Sequence, residues 1–273
     1  MKKTVLFAAA LVATTVVNAQ TGEITSNRGE NWLSQDGDWG LTIDATPFLN
    51  YAGNLFNGTS GNSAPTWGSP SNALFNPYGN SNNYTIAGKK LIDANTAYRA
   101  KVRLGFGSTK SDTLVASTTT PNQFVTDTRK DGGSNIVLGF GLEKRVGSTR
   151  VVGVYGAEAM IGLASSKTTF DYGNAIDANN PVARVTEIKQ GGVFSLGVMA
   201  FAGVEWFCAP KMSLGAEYNW GIAMSSQGEG SGTVESWNGT GVTSTESKTG
   251  KTSSFGLDTG SNGASINLNF YFQ

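Results

Sequence analysis

Apolar residues alternate with small or polar residues through much of this chain. From position 194 to 207, apolar residues such as Phe194 occupy the even positions, while the odd positions include Ser195 and other small or polar residues. Alternation with a period of two is typical of a β-strand whose two faces meet different surroundings. The pattern resumes at residues 212–222 after a tight turn at 208–211, which predicts a long hairpin.

Eight strands are predicted by this alternation. Besides the hairpin above, they lie at residues 39–51, 83–92, 98–106 and 264–272, with a second hairpin over 135–163 whose turn is at 146–149. The longest of these strands reach the roughly 9 to 11 residues that a tilted strand needs to cross a membrane. Strands of a soluble sandwich are typically shorter, about 5 to 6 residues, so that alternative is disfavoured.

The connections between the strands alternate in length. Short turns are predicted at 92–95, 146–149 and 208–211, and long polar loops at 52–82, 108–134, 164–191 and 225–263. Short turns on one side and long loops on the other are typical of an outer-membrane barrel, with periplasmic turns and extracellular loops. The predicted fold is all-β, an eight-stranded antiparallel up-and-down transmembrane β-barrel with both termini in the periplasm.

The first residues have the features of a secretory signal peptide. Lys2 and Lys3 precede an apolar stretch, and small residues before Gln20 offer a cleavage site. The apolar stretch is shorter than the roughly 20 residues of a membrane-spanning helix. We therefore expect a protein of the bacterial outer membrane with a cleaved signal peptide at residues 1–19, a periplasmic tail at 20–37 and the barrel at 38–273. The sequence leaves open whether residues 20–37 form that tail or tuck into the lumen.

The composition excludes several kinds of chemistry. The chain has no His and a single Cys, Cys208, so catalytic triads that use imidazole and thiolate metal clusters are impossible. A total of 20 Lys and Arg is balanced by 20 Asp and Glu. This balance argues against a nucleic-acid partner, because binding a phosphate backbone needs a basic surface. We expect no catalytic residue, no metal and no cofactor.

Charged residues occupy the face of the predicted strands that lies opposite the apolar rows. In a membrane barrel the apolar rows face lipid, so these charges point into the lumen. An eight-stranded barrel has an interior that side chains can fill, and a buried charge without a partner is costly. We interpret the set as a structural network of ion pairs and not as a catalytic site: Asp44, Arg99, Lys101, Arg103, Glu143, Glu158, Glu205 and Glu217.

Aromatic residues lie near the ends of several predicted strands. Trp and Tyr are enriched at membrane interfaces, because one side of each ring is apolar and the other polar. We therefore interpret this set as anchors at the membrane surface and not as part of a cofactor site: Trp39, Trp206, Phe207, Tyr218, Trp220, Phe270 and Phe272.

Three segments, YGAEA at 155–159, VEWFCAPKMSLGAEY at 204–218 and INLNFYF at 266–272, resemble the small outer-membrane β-barrel proteins of Bacteroidota, which are similar in architecture to the OmpA and OmpX barrels. The resemblance covers residue 39 to the end and implies a barrel without shared catalytic residues. The last strand resembles the aromatic-ended signal read by the barrel-assembly machinery, which implies that machinery as a partner during insertion. Asp112-Thr113-Leu114 resembles the O-glycosylation sequon of these bacteria, which makes Thr113 a candidate modification site.

Three functions remain open on the sequence. The leading hypothesis is a non-enzymatic barrel that supports envelope integrity, or that contacts another protein, the host, outer-membrane lipid or the lipopolysaccharide surface, because function on rigid scaffolds concentrates in loops. The alternative is a narrow passive pore or a conduit for a small hydrophobic ligand, which requires a continuous path through the lumen. An outer-membrane enzyme is disfavoured, because known barrels of that kind rely on His and this chain has none.

Overall fold

The structure is a computed structural model that describes residues 24–45, 86–258 and 265–273. The predicted signal peptide and the predicted loop at 52–82 lie outside the described residues. Within them no helix is long and apolar enough to cross a membrane. The strands are β1 (Trp39–Asp44), β2 (Ile86–Asp93), β3 (Thr96–Ala116), β4 (Phe124–Val146), β5 (Val151–Asp171), β6 (Arg184–Ala209), β7 (Met212–Gln227), β8 (Ser231–Trp237), β9 (Val242–Lys248), β10 (Thr252–Asp258) and β11 (Ser265–Phe272).

Eight of these strands form a closed antiparallel ring. Strands β1 to β7 pair in sequence order, and β11 closes the ring by pairing with both β7 and β1. In the closing pair Trp39 lies opposite Phe272. Sequence neighbours in the ring are joined by short connections at one end, including the tight turn in which Lys211 adopts a left-handed φ of 58°. The predicted eight-stranded antiparallel up-and-down barrel fold is confirmed.

Several strands continue well beyond the ring. Strands β3, β4, β5 and β6 contain 21, 23, 21 and 26 residues. The segments 108–134, 164–191 and 225–263 were expected to be loops, and much of each is strand instead: β8 and β9 form a hairpin on β6, and β10 pairs with β7. The expectation was wrong because these extensions carry polar residues on both faces, and a sheet surrounded by water needs no alternation.

The two faces of the ring are inverted relative to a water-soluble protein. Arg99 and Glu143 are 1% and 0% exposed inside the ring, whereas Leu104 and Phe140 are 63% and 59% exposed outside it. We call the outward apolar surface of the ring the apolar belt; it includes Leu41, Tyr98, Val102, Leu104, Leu138, Phe140, Leu142, Ile161, Leu163, Phe194, Leu196, Val198, Val204 and Ile222.

Candidate functional site: the charged layer inside the ring

All eight charged residues that the sequence predicts in the lumen are buried. Six of them meet in one ion-paired cluster, which we call the charged layer. The structure adds two cations to it, so that its members are Lys89, Arg99, Lys101, Arg145, Glu143, Glu158, Glu205 and Glu217. Asp44 and Arg103 are also buried, but they lie farther from the short turns than the charged layer does. Each of them interacts with neighbouring groups at its own level of the ring.

Arg99 on β3 joins three carboxylates that come from three other strands. Its two terminal nitrogens form a fork with Glu217 at 3.1 and 3.0 Å, and one of them also donates to Glu143 at 3.1 Å. Its Nε lies 2.9 Å from Glu158, an ion-pair contact without hydrogen-bond alignment. The Cζ atom of its guanidinium lies over the ring of Phe201, 4.1 Å from the ring centre. A planar fork of donors suits this arrangement, because it can bind one carboxylate with two bonds while it faces an aromatic ring.

Lys89 and Arg145 complete the charged layer, and the sequence reading did not include them. The Lys89 ammonium lies 2.9 Å from Glu143 and 2.5 Å from Glu205. Arg145 reaches the same two carboxylates at 2.7 and 2.9 Å. The hydroxyl of Tyr271 accepts a hydrogen bond from Arg145 and donates one to Glu205. Both lie at inward positions of β2 and β4, but the alternation that would place them is weak in β2 and ends at a turn in β4.

Charge is balanced within the charged layer. Lys101 pairs with Glu158 at 2.6 Å, so four cations face four carboxylates. Isolated ions in such a place would lose several kcal/mol of hydration each, and close partners offset this loss. Because every carboxylate here is held by Lys or Arg, the cluster is suited to holding strands together and poorly suited to moving a proton.

Inward glycines make room for these long side chains. A Cβ at Gly156 would lie 1.9 Å from the carbonyl oxygen of Leu142 and 2.8 Å from the ring of Phe201. A Cβ at Gly215 would lie 2.1 Å from the side-chain oxygen of Asn267. Close approach of neighbouring atoms therefore requires glycine at both positions. Large inward side chains fill the interior beside these glycines.

The ring end that carries the short turns is covered by residues 24–38, which we call the N-terminal segment. Leu33 is buried in an apolar cluster with Leu91, Phe207 and Tyr271. Trp32 packs against the same cluster. The described part of the predicted periplasmic tail at 20–37 packs against the end of the ring, because its apolar side chains meet a partly open apolar surface there.

Polar contacts fix the N-terminal segment in place. The Lys211 ammonium forms an ion pair with Asp38, which is fully buried. The backbone N–H of Lys211 donates to the carbonyl of Trp32 at 3.0 Å. Arg150, in the turn between β4 and β5, lies 3.8 Å over the ring of Trp32. Two of the short turns therefore hold the segment by side-chain charge and one of them also by a backbone hydrogen bond.

The predicted interface aromatics are placed in three ways. Trp39, Trp206, Phe270 and Phe272 point outward on strand portions near the short turns. Tyr218 and Trp220 are half-buried in the middle of β7, with ring centres 5.7 Å apart. Phe207 is buried and stacks on Tyr271 at 5.8 Å. Its assignment as an anchor was wrong, since it follows the outward Trp206 by one position and so faces the lumen.

Two remaining candidates lie outside the lumen. Thr113 is exposed on β3 above the ring, opposite Asp127 of β4. No cluster of His, Cys, Asp and Glu suited to a metal ion occurs in the part of the chain that the structure describes.

No protein-family model and no curated protein matches this chain. Among solved structures the chain is similar to the outer membrane protein OprG from Pseudomonas aeruginosa, with 9% sequence identity and a TM-score of 0.27. The likeness covers 89% of this chain and 99% of that one.

Proposed function

We propose that this chain is a non-enzymatic outer-membrane β-barrel with a closed lumen, which supports the cell envelope or presents a surface for interaction. The observation that carries this proposal is the inversion of the ring, with charges inside and the apolar belt outside. An exposed apolar surface that runs around a closed ring would cause aggregation in water. In lipid the same surface is solvated, and the ring leaves no strand edge unpaired.

The filled interior supports a closed barrel over a pore. The charged layer crosses the lumen, with Arg99 linking β3 to the facing β7 through Glu217. The N-terminal segment adds a second obstruction below it. Water or a small solute would have to displace paired charges and then apolar side chains, which is costly at both levels.

Orientation follows the usual architecture of such barrels. Short turns face the periplasm and long segments face outward, so we place both termini in the periplasm and the extensions of β3 to β6 at the cell surface. The resemblance to Bacteroidota barrels of the OmpA and OmpX type belongs to this proposal, as do insertion by the barrel-assembly machinery and contacts of the surface sheet with lipopolysaccharide or a host protein. We take the chain to be non-enzymatic, because it has no His and its charged-layer carboxylates are all held by cations.

Membrane separation and conductance test this proposal. The chain should co-sediment with the outer membrane on a density gradient and migrate as a compact folded species on unheated gels. Refolded into a planar bilayer, the full chain should give no unitary conductance, while an open porin treated in parallel gives steps. Recovery in the soluble fraction would contradict the membrane location, and reproducible steps from this chain would replace the closed barrel with the pore alternative.

A further inference from the structure

Three lysines form a row on the outward face of the sheet above the ring. Lys167 of β5 lies directly opposite Lys189 of β6. Ser231 of β8 pairs with Lys189 on its other side, and Lys248 of β9 pairs with Ser231. Directly opposite residues of neighbouring strands project from the same face. The β5–β6 register shifts between Ala164 and Ser166, but β5 pairs with β4 without a break from Leu163 to Lys167. Because successive residues of a strand alternate between its two faces, Lys167 lies on the face that exposes Leu163.

The lysine row lines an open cleft of about 530 Å³. Its wall also contains Gly132, Gly191 and several serine hydroxyls. Gly132 leaves open space beside the lysines, since a Cβ there would meet nothing nearer than 3.8 Å, whereas Gly191 is required by the close approach of the Gly228 backbone, 1.9 Å from where its Cβ would lie. A volume of this size accommodates a small ligand or the headgroup of a large one.

The cleft carries mixed charge, because the three lysines stand beside three carboxylates, those of Glu187, Glu229 and Glu246. Glu187 binds both Lys167 and Lys189, at 2.7 Å each. One carboxylate thus serves two ammonium groups. Glu246 and Glu229 also line the cleft, and Glu229 lies 3.8 Å from Lys251. Lysines of this kind bind phosphate, while carboxylates and serine hydroxyls can bind sugar hydroxyls. The mixture therefore suits a phosphorylated sugar better than a simple anion.

An apolar groove lies next to the cleft on the same outward side of the barrel. The groove has a volume of about 320 Å³ and is lined by Phe194, Met224, Phe255 and four serines. Phe194 and Gly192 are close in sequence on β6, so the polar cleft and the apolar groove adjoin. Phe194 and Met224 belong to the outward apolar surface and are about half exposed.

The height of the cleft is that of a lipid headgroup. Four residues of β5 separate Leu163 in the apolar belt from Lys167, a rise of about 13 Å along a strand. A lipid whose acyl chains cover the belt would carry its polar headgroup at this level. The groove and the cleft therefore match the two halves of one amphipathic ligand.

We propose that the cleft and the groove together bind a phosphorylated, acylated saccharide of the outer leaflet. The phosphate lies among Lys167, Lys189 and Lys248, and an acyl chain lies against Phe194, Met224 and Phe255. This inference rests on the outer-membrane location proposed above and names the lipid that the surface sheet contacts.

Titration of the full mature chain with lipid A, a diphosphorylated and acylated disaccharide, tests the site. Native mass spectrometry in a neutral detergent gives the dissociation constant. The triple variant Lys167→Gln, Lys189→Gln, Lys248→Gln should bind about tenfold more weakly or worse, as expected for loss of charge-assisted bonds to phosphate. The matched control is Lys110→Gln, Lys130→Gln, which removes another directly opposed lysine pair of the same sheet and should bind like the wild type.

Two further ligands separate the sources of phosphate. Dephosphorylated lipid A should bind the wild type as weakly as lipid A binds the triple variant. Glucosamine 6-phosphate, which lacks acyl chains, should bind far more weakly than lipid A, and Phe255→Ser should reduce lipid A binding only. Equal affinity of the wild type and the triple variant overturns the proposal, and glucosamine 6-phosphate that binds as tightly as lipid A overturns its lipid half.

Failure of this site can be told apart from failure of the proposed function. The wild type and both lysine variants are first separated on the density gradient. A chain that leaves the outer membrane in all forms contradicts the location itself. If the wild type and both variants stay in the outer membrane and bind lipid A equally well, only the proposed binding site is contradicted.

Discussion

Arg99 contacts carboxylates from β4, β5 and β7 at once, so its removal breaks more than one ion pair. The variant Arg99→Met leaves Glu143, Glu158 and Glu217 short of a cation in a buried place. We expect the free energy of unfolding to fall by about 3 to 5 kcal/mol, the usual cost of breaking a buried ion pair. Urea unfolding of the refolded barrel in lipid vesicles measures this loss.

The control for that variant is Lys130→Met on the same β-sheet. Lys130 is about half exposed and lies 3.6 Å from Asp171, so its loss should cost about 0 to 1 kcal/mol. Equal stability of the two variants would mean that the charged layer contributes no more than a surface pair.

Gly156 offers a second test, in which one added methyl group probes the tight packing of the interior. Gly156→Ala places a Cβ against the Leu142 carbonyl and the Phe201 ring, and overpacking of this kind costs roughly 1 to 3 kcal/mol. Gly88→Ala is the matched control, since a Cβ there would meet nothing within 4 Å. The same urea experiment should show a lowered midpoint for Gly156→Ala alone; a similar drop in both would place the effect in strand propensity and not in packing.

The charges of the lumen were partly predictable from sequence for a physical reason. Residues such as Glu158 and Glu205 stand between apolar neighbours in strict alternation, so parity alone assigns their face. Lys89 stands in a weakly alternating strand beside Lys90, and Arg145 lies next to a turn, where parity is hard to extend. Which carboxylates pair with Lys89 or Arg145 depends on how the closed barrel brings the strands together, and the order of the strands does not determine it.

At the scale of whole strands, the extensions above the ring depend on carboxylates that titrate. Hydrogen bonds from Lys167 and Lys189 lower the pKa of Glu187, and those from Lys110 and Thr128 lower the pKa of Asp112. A carboxyl group whose pKa is lower in the folded state stabilises that state above its unfolded pKa, and this contribution is lost as the pH falls through the folded value. The extensions should therefore be firm at pH 7 and loosen below about pH 4.

Hydrogen exchange, corrected for intrinsic rates, measures that loosening. Protection of the paired residues 166–169 and 187–190 should drop between pH 7 and pH 3. In Glu187→Gln the drop should be smaller, because the titrating group is gone, while the β3–β4 extension keeps its own dependence through Asp112. An unchanged pH response in Glu187→Gln would contradict the assignment.

The strand extensions above the ring could not be predicted from the sequence. Strands inside the belt, such as β5 up to Leu163, were predictable because lipid and lumen impose opposite chemistry on alternate residues. Beyond that point both faces of the sheet meet water, so Ser, Thr, Lys and Gly occur on either face without period. The hairpin of β8 and β9 has the same mixed composition and was not predicted for the same reason.

At the scale of the whole molecule, the proposed orientation can be read by single cysteines. In a Cys208→Ser background, Thr120→Cys lies between β3 and β4, and Ser148→Cys lies in the short turn between β4 and β5; both positions are exposed. A maleimide that cannot cross the outer membrane should label Thr120→Cys on intact cells and Ser148→Cys only after permeabilisation. Labelling of Ser148→Cys on intact cells, with Thr120→Cys protected, would reverse the orientation.

The N-terminal segment has a consequence for the order in which the barrel is made. Leu33 shares a buried apolar cluster with Leu91 of β2 and Tyr271 of β11, which are 180 positions apart in the sequence. Their shared surface exists only after β11 has paired with β1. During biogenesis the segment, although synthesised before every strand, therefore has no complete place to dock until the last strand has joined the first. Its docking is a late step that follows closure and then makes reopening of the seam more costly.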